Sequence, residues 1–271
     1  MPDVLIHRVN THGMEYADRT LNSMRRLLLA VGMLTPWRVH VRGETSAGDL
    51  RQSTAFYPLV GLFIGLLPAG ALLLPLPTGP RAALALAAWV GVTGAAHLHG
   101  WAHCADAAFA PAAENADATR HRRLEMLRDP RIGVLGAVGL ALLLLGKWSA
   151  LVYAPAFAPL VAAPLARWGM VHALRTYVPA RADGLGARLA GPVPLWTATW
   201  IAVAVLGLIT FASPDPSRTG LAVTAGTGAL LVSAAFLVDR LGGVTAGSCG
   251  ASAEFAELAV LWAFLPWGMS G

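Results

Sequence analysis

The chain has 271 residues, of which 56% are hydrophobic and only 13% charged, about half the roughly 25% charge of an average soluble domain. Long uncharged apolar runs recur from residue 59 onward, and two cysteines, Cys104 and Cys249, make no disulfide framework and no zinc spacing. These features exclude a soluble enzyme, a disordered chain and a secreted disulfide scaffold, and they predict an all-α, polytopic integral membrane protein.

The opening residues MPDVLIHRVNTHGMEYADRT carry no signal-peptide apolar stretch, so no cleavage is expected. Residues 16–36, with RRLLLAVGML after a polar stretch, predict an interfacial amphipathic helix within a cytoplasmic segment, 1–58. A membrane-spanning helix needs about 20 mostly apolar residues. Seven such spans follow, at 59–76, 81–98, 133–153, 156–174, 195–212, 220–238 and 253–268. Pro68 and Pro75 predict a kinked or short first span. The loop 179–194 is punctuated by Gly and Pro, residues 213–220 read as a turn, and the Gly-rich run before the last span reads as a flexible turn.

The basic residues test this layout. Lysine plus arginine total 20 against 15 acidic residues, and Lys147 is the one lysine. With the N-terminus cytoplasmic, sixteen of the basic residues fall in the inner segments 1–58, 99–132, 175–194 and 239–252. Only Arg81 and Arg218 fall outside, while Lys147 and Arg167 lie within spans. That asymmetry obeys the positive-inside rule. No internal repeat is present, and residues 1–271 read as one membrane domain.

Three polar groups stand near the inner face. His99, His103 and Asp106, in HLHGWAHCADAAF, fall at i, i+4 and i+7 on one helix stripe, with His97 off it. Imidazole and carboxylate on one face suit a metal; the plain alternative is a solvated helix end. The second group, Arg120, Arg122, Arg123, Arg128 and Arg131, interleaved with Glu125 and Asp129, could clamp a pyrophosphate or lipid headgroups, or simply set orientation. The third, Glu254 and Glu257, opens the last span, where carboxylates are either functional or favoured by the helix dipole.

The order of motifs resembles the cobalamin synthase family, the adenosylcobinamide-GDP ribazoletransferases, from about residue 25 to 265. The segments that carry it are FYPLVGLFIG (56–65), HLHGWAHCADAAF (97–109), RRLEMLRDPRIGVLG (122–136), the span holding Lys147, ARWGMVHALRTYVPARADGLG (166–186) and RLGGVTAGSCGASAEFAEL (240–258). The resemblance implies a multi-pass enzyme of the cell inner membrane with cytoplasmic functional loops. Its substrates would be adenosylcobinamide-GDP and α-ribazole or its 5′-phosphate, joined with release of GMP and dependent on Mg²⁺. Membrane lipid is the other expected partner; no nucleic acid is expected, and the sequence does not set the oligomeric state.

The resemblance also implies roles: Asp106, Asp129 and Lys147 catalytic; Arg122, Arg123, Arg131, Arg167 and Arg181 substrate-binding; His99, His103, Asp106, Glu254 and Glu257 metal-binding. The family carries aspartates at the positions of His99, His103 and Gly247. Several readings therefore stay open: the family reaction with Mg²⁺, a softer divalent ion at His99, His103 and Asp106 with Cys249 as a further ligand, or a non-catalytic paralogue. Charged residues within spans also admit a membrane transporter, against which stand the absent repeat and the one-sided polar loops.

Overall fold

In the computed structural model the described residues are 21–41 and 43–266, and among them every regular element is helical. Expectations for residues 1–20 and for the end of the last span beyond residue 266 lie outside these. Helix α1 covers residues 21–34. A short α2 (Ala47–Ser53) follows, opened by a reciprocal cap between Ser46 and Asp49. It runs through a 3₁₀ turn into α3 (Tyr57–Ala71). The first span therefore begins twelve residues before the apolar run does, and it ends at Ala71, with Pro68 in its last turn.

The second expected span is broken. Helix α4 (Thr78–Thr93) stops at Gly94, and α5 (Ala96–Ala108) leaves at 91° to it. Gly94 and Ala95 both take left-handed backbone, φ 58° and 57°, and two such residues in succession cannot continue a right-handed helix. A side chain on Gly94 would press on Pro36, which is 3.0 Å from the position of its Cβ. Ala95 has no such freedom, and left-handed backbone costs an L-residue roughly 1–2 kcal/mol. Ala95→Gly is accordingly expected to stabilise the protein by about 1 kcal/mol. Thermal unfolding in detergent reads this, and a lowered midpoint would contradict it.

After α6 (Ala116–Met126) come α7 (Val134–Tyr153), α8 (Ala158–Thr176), a five-residue α9 (Leu185–Leu189), α10 (Leu195–Ala212), α11 (Pro216–Leu241) and α12 (Ala246–Ala263). Among the described residues, four helical stretches are long and apolar enough to cross a membrane: Ala47–Ala71, α7, α10 and α11. The bent pair α4–α5 makes a fifth. The other two of the seven expected spans, α8 and α12, are too polar to qualify. Each still reaches about 27–29 Å at 1.5 Å per residue, close to the hydrocarbon thickness of about 30 Å. Most of their side chains are buried among other helices rather than facing outward.

Close packing of α3 on α8 explains two glycines of the first span. A Cβ on Gly61 would lie 2.7 Å from the Ala163 carbonyl oxygen, and one on Gly65 would lie 2.6 Å from that of Pro159. Small residues four apart let helix backbones meet in a membrane, where hydrophobic burial gives no drive for association.

Candidate functional site

A cavity of about 200 Å³ lies where the three expected inner loops converge. It is lined by His99, Gly100 and His103 of α5, by Leu127 after α6, by Arg181 and 183–187 before and within α9, and by Val244 to Gly247 at the start of α12. The local sequence explains the convergence. Gly242 and Gly243 turn the chain after α11 with φ of 72° and 154°. The strand-like bridge between Pro179 and Val244 then ties two loops together. In it the Ala180 N–H donates to Val244 (3.0 Å) and the Val244 N–H donates to Val178 (2.8 Å). Arg120 donates to the Gly242 carbonyl (3.0 Å) and Arg123 to that of Arg240 (3.1 Å), so α6 clamps the C-terminal end of α11.

The Gly-rich run expected as a flexible turn is mostly helix. Thr245 caps α12: its hydroxyl accepts from the Ser248 N–H (3.0 Å) and the Ser248 hydroxyl accepts from the Thr245 N–H (2.8 Å). A capping pair outweighs the low helix propensity of Gly247 and Gly250, and a glycine contact holds the helix against α5. A Cβ on Gly100 would lie 2.6 Å from the Gly247 carbonyl oxygen. The N–H groups of Ala246 and Gly247, in the first turn, have no acceptor within the helix. They lie in the cavity wall at the positive end of the helix dipole.

The expected site residues divide into separate places. Glu254 and Glu257 do not join the histidines. Lys147 on α7 donates to both, at 2.5 Å each. Arg167 on α8 bonds Glu257 and also donates to His97 Nδ1 at 3.1 Å. Lys147 further sits over the Trp89 ring, 5.0 Å from its centre. All five of these charged or polar side chains are buried. Two carboxylates, two cations and a neutral imidazole thus balance one another between α5, α7, α8 and α12. The sequence places the acidic residues within a span but names no partner for them, and it leaves His97 aside.

Asp106 leaves the expected stripe as well. Its two carboxylate oxygens accept from the N–H groups of Gly133 (2.7 Å) and Gly136 (2.8 Å), capping α7, whose own N-cap glycine has no side chain to do so. A Cβ on Gly136 would collide with that carboxylate and lie 2.6 Å from the Ala102 carbonyl oxygen. Asp129 lies on the turn after α6. Arg131 donates to it from its backbone (2.9 Å), Nε (3.0 Å) and Nη2 (2.9 Å), and these bonds hold the carboxyl down at about 2. A carboxylate so favoured is a weak proton acceptor at neutral pH.

Of the arginines expected to bind substrate, Arg181 lines the cavity. Arg122 is exposed on α6, Arg123 is spent on the Arg240 carbonyl, Arg131 on Asp129, and Arg167 on Glu257. His99 and His103 do meet, ring centres 4.3 Å apart, and both line the cavity. Cys249 packs in an apolar cluster with Leu174, Leu189 and Val244.

These donors do not fit Mg²⁺. Among the described residues no three His, Cys, Asp or Glu side chains converge to hold a metal. The one carboxylate lining the cavity, Asp183, is bonded to Arg128. A hard cation that demands oxygen ligands would find two imidazoles, and a softer ion would find only those two.

The cobalamin-5-phosphate synthase family profile matches residues 26–265. The chain belongs to that family. It is 37% identical over 246 residues to the adenosylcobinamide-GDP ribazoletransferase of Stutzerimonas stutzeri, covering 88% of this chain and 96% of the relative. It is 36% identical over 231 residues to that of Deinococcus radiodurans (79% and 83%), and 34% identical over 260 residues to that of Ralstonia nicotianae (91% and 96%). No solved structure is significantly similar.

Proposed function

We propose that this cobalamin-5-phosphate synthase family member is an adenosylcobinamide-GDP ribazoletransferase of late cobalamin assembly, acting as one membrane domain of the cell inner membrane with its cavity on the cytoplasmic side. The observation that carries the reading is that the family match, residues 26–265, includes every segment that builds the cavity. The sixteen basic residues of the inner segments support a cytoplasmic position for those loops.

The reaction is a phosphoryl-type transfer. A ribose hydroxyl of α-ribazole, or of its 5′-phosphate, attacks the phosphorus attached to cobinamide. The bond from that phosphorus to the bridging oxygen breaks, and GMP leaves with the oxygen. Catalysis then rests on positioning and on stabilising the charge carried by the phosphoryl oxygens and leaving group. The Ala246 and Gly247 amides and the Arg181 guanidinium are the cavity groups that do this. His99, exposed at the cavity wall, is the imidazole that takes the hydroxyl proton; desolvation and the neighbouring His103 hold its pKa below the usual histidine range, which keeps it unprotonated and able to accept.

The purified protein in proteoliposomes, given adenosylcobinamide-GDP and α-ribazole, is expected to release GMP and form the joined corrinoid in equal amounts. GMP without the joined product, or neither, would overturn the assignment.

A further inference from the structure

We infer that the cavity at the start of α12 binds a diphosphate group directly, with no divalent cation between ligand and protein; this rests on reading the cavity as the transfer site. Four observations converge. The unbonded amides of the first turn of α12 lie in its wall, where backbone donors and the helix dipole favour an anion. His103, only 3% exposed, lines the same cavity, and its Nε2 has no hydrogen-bond partner. Buried polar nitrogens are normally satisfied, and a phosphate oxygen is an acceptor that an imidazole N–H can satisfy.

Arg181 adds a planar donor suited to phosphate. Among the described residues the carboxylates of this region are already partnered: Asp106 with the α7 amides, Asp129 with Arg131, Asp183 with Arg128, and Glu254 and Glu257 with Lys147. The wall therefore presents mainly donors to the ligand itself, and the carboxylate it includes, Asp183, is ion-paired with Arg128.

Gly247 gives the means of testing this. The atoms nearest a Cβ there, on Gly100, Thr245 and Cys104, lie at 3.7–3.9 Å, ordinary contact distance. The Cβ of Gly247→Asp is accommodated there, and its carboxylate would stand beside the proposed anion. Calorimetric binding of inorganic pyrophosphate to the full-length protein in nanodiscs is the measurement. In excess EDTA the wild type should bind within about threefold of its affinity in Mg²⁺. Gly247→Asp should lose at least about tenfold in EDTA and recover in Mg²⁺, and Arg181→Ala should lose about tenfold under both conditions.

Pyrophosphate binding by the wild type only with Mg²⁺, or under neither condition, overturns the inference. The two readings separate cleanly. Binding in EDTA without any GMP release leaves the anion site and removes the transferase. GMP release that EDTA abolishes together with pyrophosphate binding does the reverse.

Discussion

Lys147→Met is expected to destabilise the protein by about 3–5 kcal/mol, the usual cost of removing one partner from a buried ion pair. Lys147 is 2% exposed and bonds two carboxylates that are themselves 3% and 0% exposed. Arg167 still neutralises Glu257, but among the described residues no other cation is ion-paired with Glu254. The loss does not mean that the pair stabilises the fold by that amount, since a buried ion pair often does no better than apolar residues of similar volume. The double variant Lys147→Met, Glu254→Gln should therefore recover most of the stability. Chemical unfolding in detergent measures both, and a Lys147→Met midpoint equal to wild type would contradict the network as described.

Arg181→Ala should lower GMP release about 10²-fold, as removal of one donor to a developing anion does. Among the described residues Arg181 is the one arginine lining the cavity, half-buried, and its contact to the Leu124 carbonyl is long, at 3.5 Å. Its guanidinium is thus free to turn to a ligand at little cost. Arg188→Ala, on α9 outside the cavity wall, is the matched control and should stay within about twofold of wild type, since an exposed charge beyond the site acts only through screened field. Both variants should unfold as the wild type does. Equal losses in the two would show general electrostatic attraction in place of a specific donor.

The apolar runs and the basic-residue bias made the helical membrane architecture legible, along with the three loops that meet at the cavity. The span 195–212 coincides with α10, and 133–153 differs from α7 by one residue. Periodicity failed where a partner on another element decides the outcome. His99, His103 and Asp106 share a helical stripe in sequence, yet α7 arrives beside Asp106 with open amides and takes its carboxylate. Glu254 and Glu257 look like ligands because carboxylates in a span need a reason. Their reason is Lys147 and Arg167, from helices more than 85 residues away. The start of α12 was readable from the Thr245 and Ser248 capping pair, but the surrounding glycines pointed to a loop. Their packing role depends on Gly100, which only the fold brings near.

The broken second span followed from the same limitation. Residues 81–98 are apolar enough for one straight helix, and Gly94 alone is tolerated within a membrane helix. The left-handed turn is imposed where Gly94 meets Pro36, and it aims α5 across the bundle so that its histidines face α12. Without the bend, the imidazoles and the α12 amides would not share a cavity.

The central claim is one of place: transfer occurs where α5, the loop before α9 and the first turn of α12 enclose the cavity. Cryo-electron microscopy of the protein in nanodiscs with adenosylcobinamide-GDP tests it most directly. Diphosphate density is expected against the Ala246 and Gly247 amides, between His103 and Arg181. Diphosphate density in the apolar groove that Trp168 of α8, Leu206 of α10 and Val223 of α11 line, or beside Glu254 and Glu257, would contradict it.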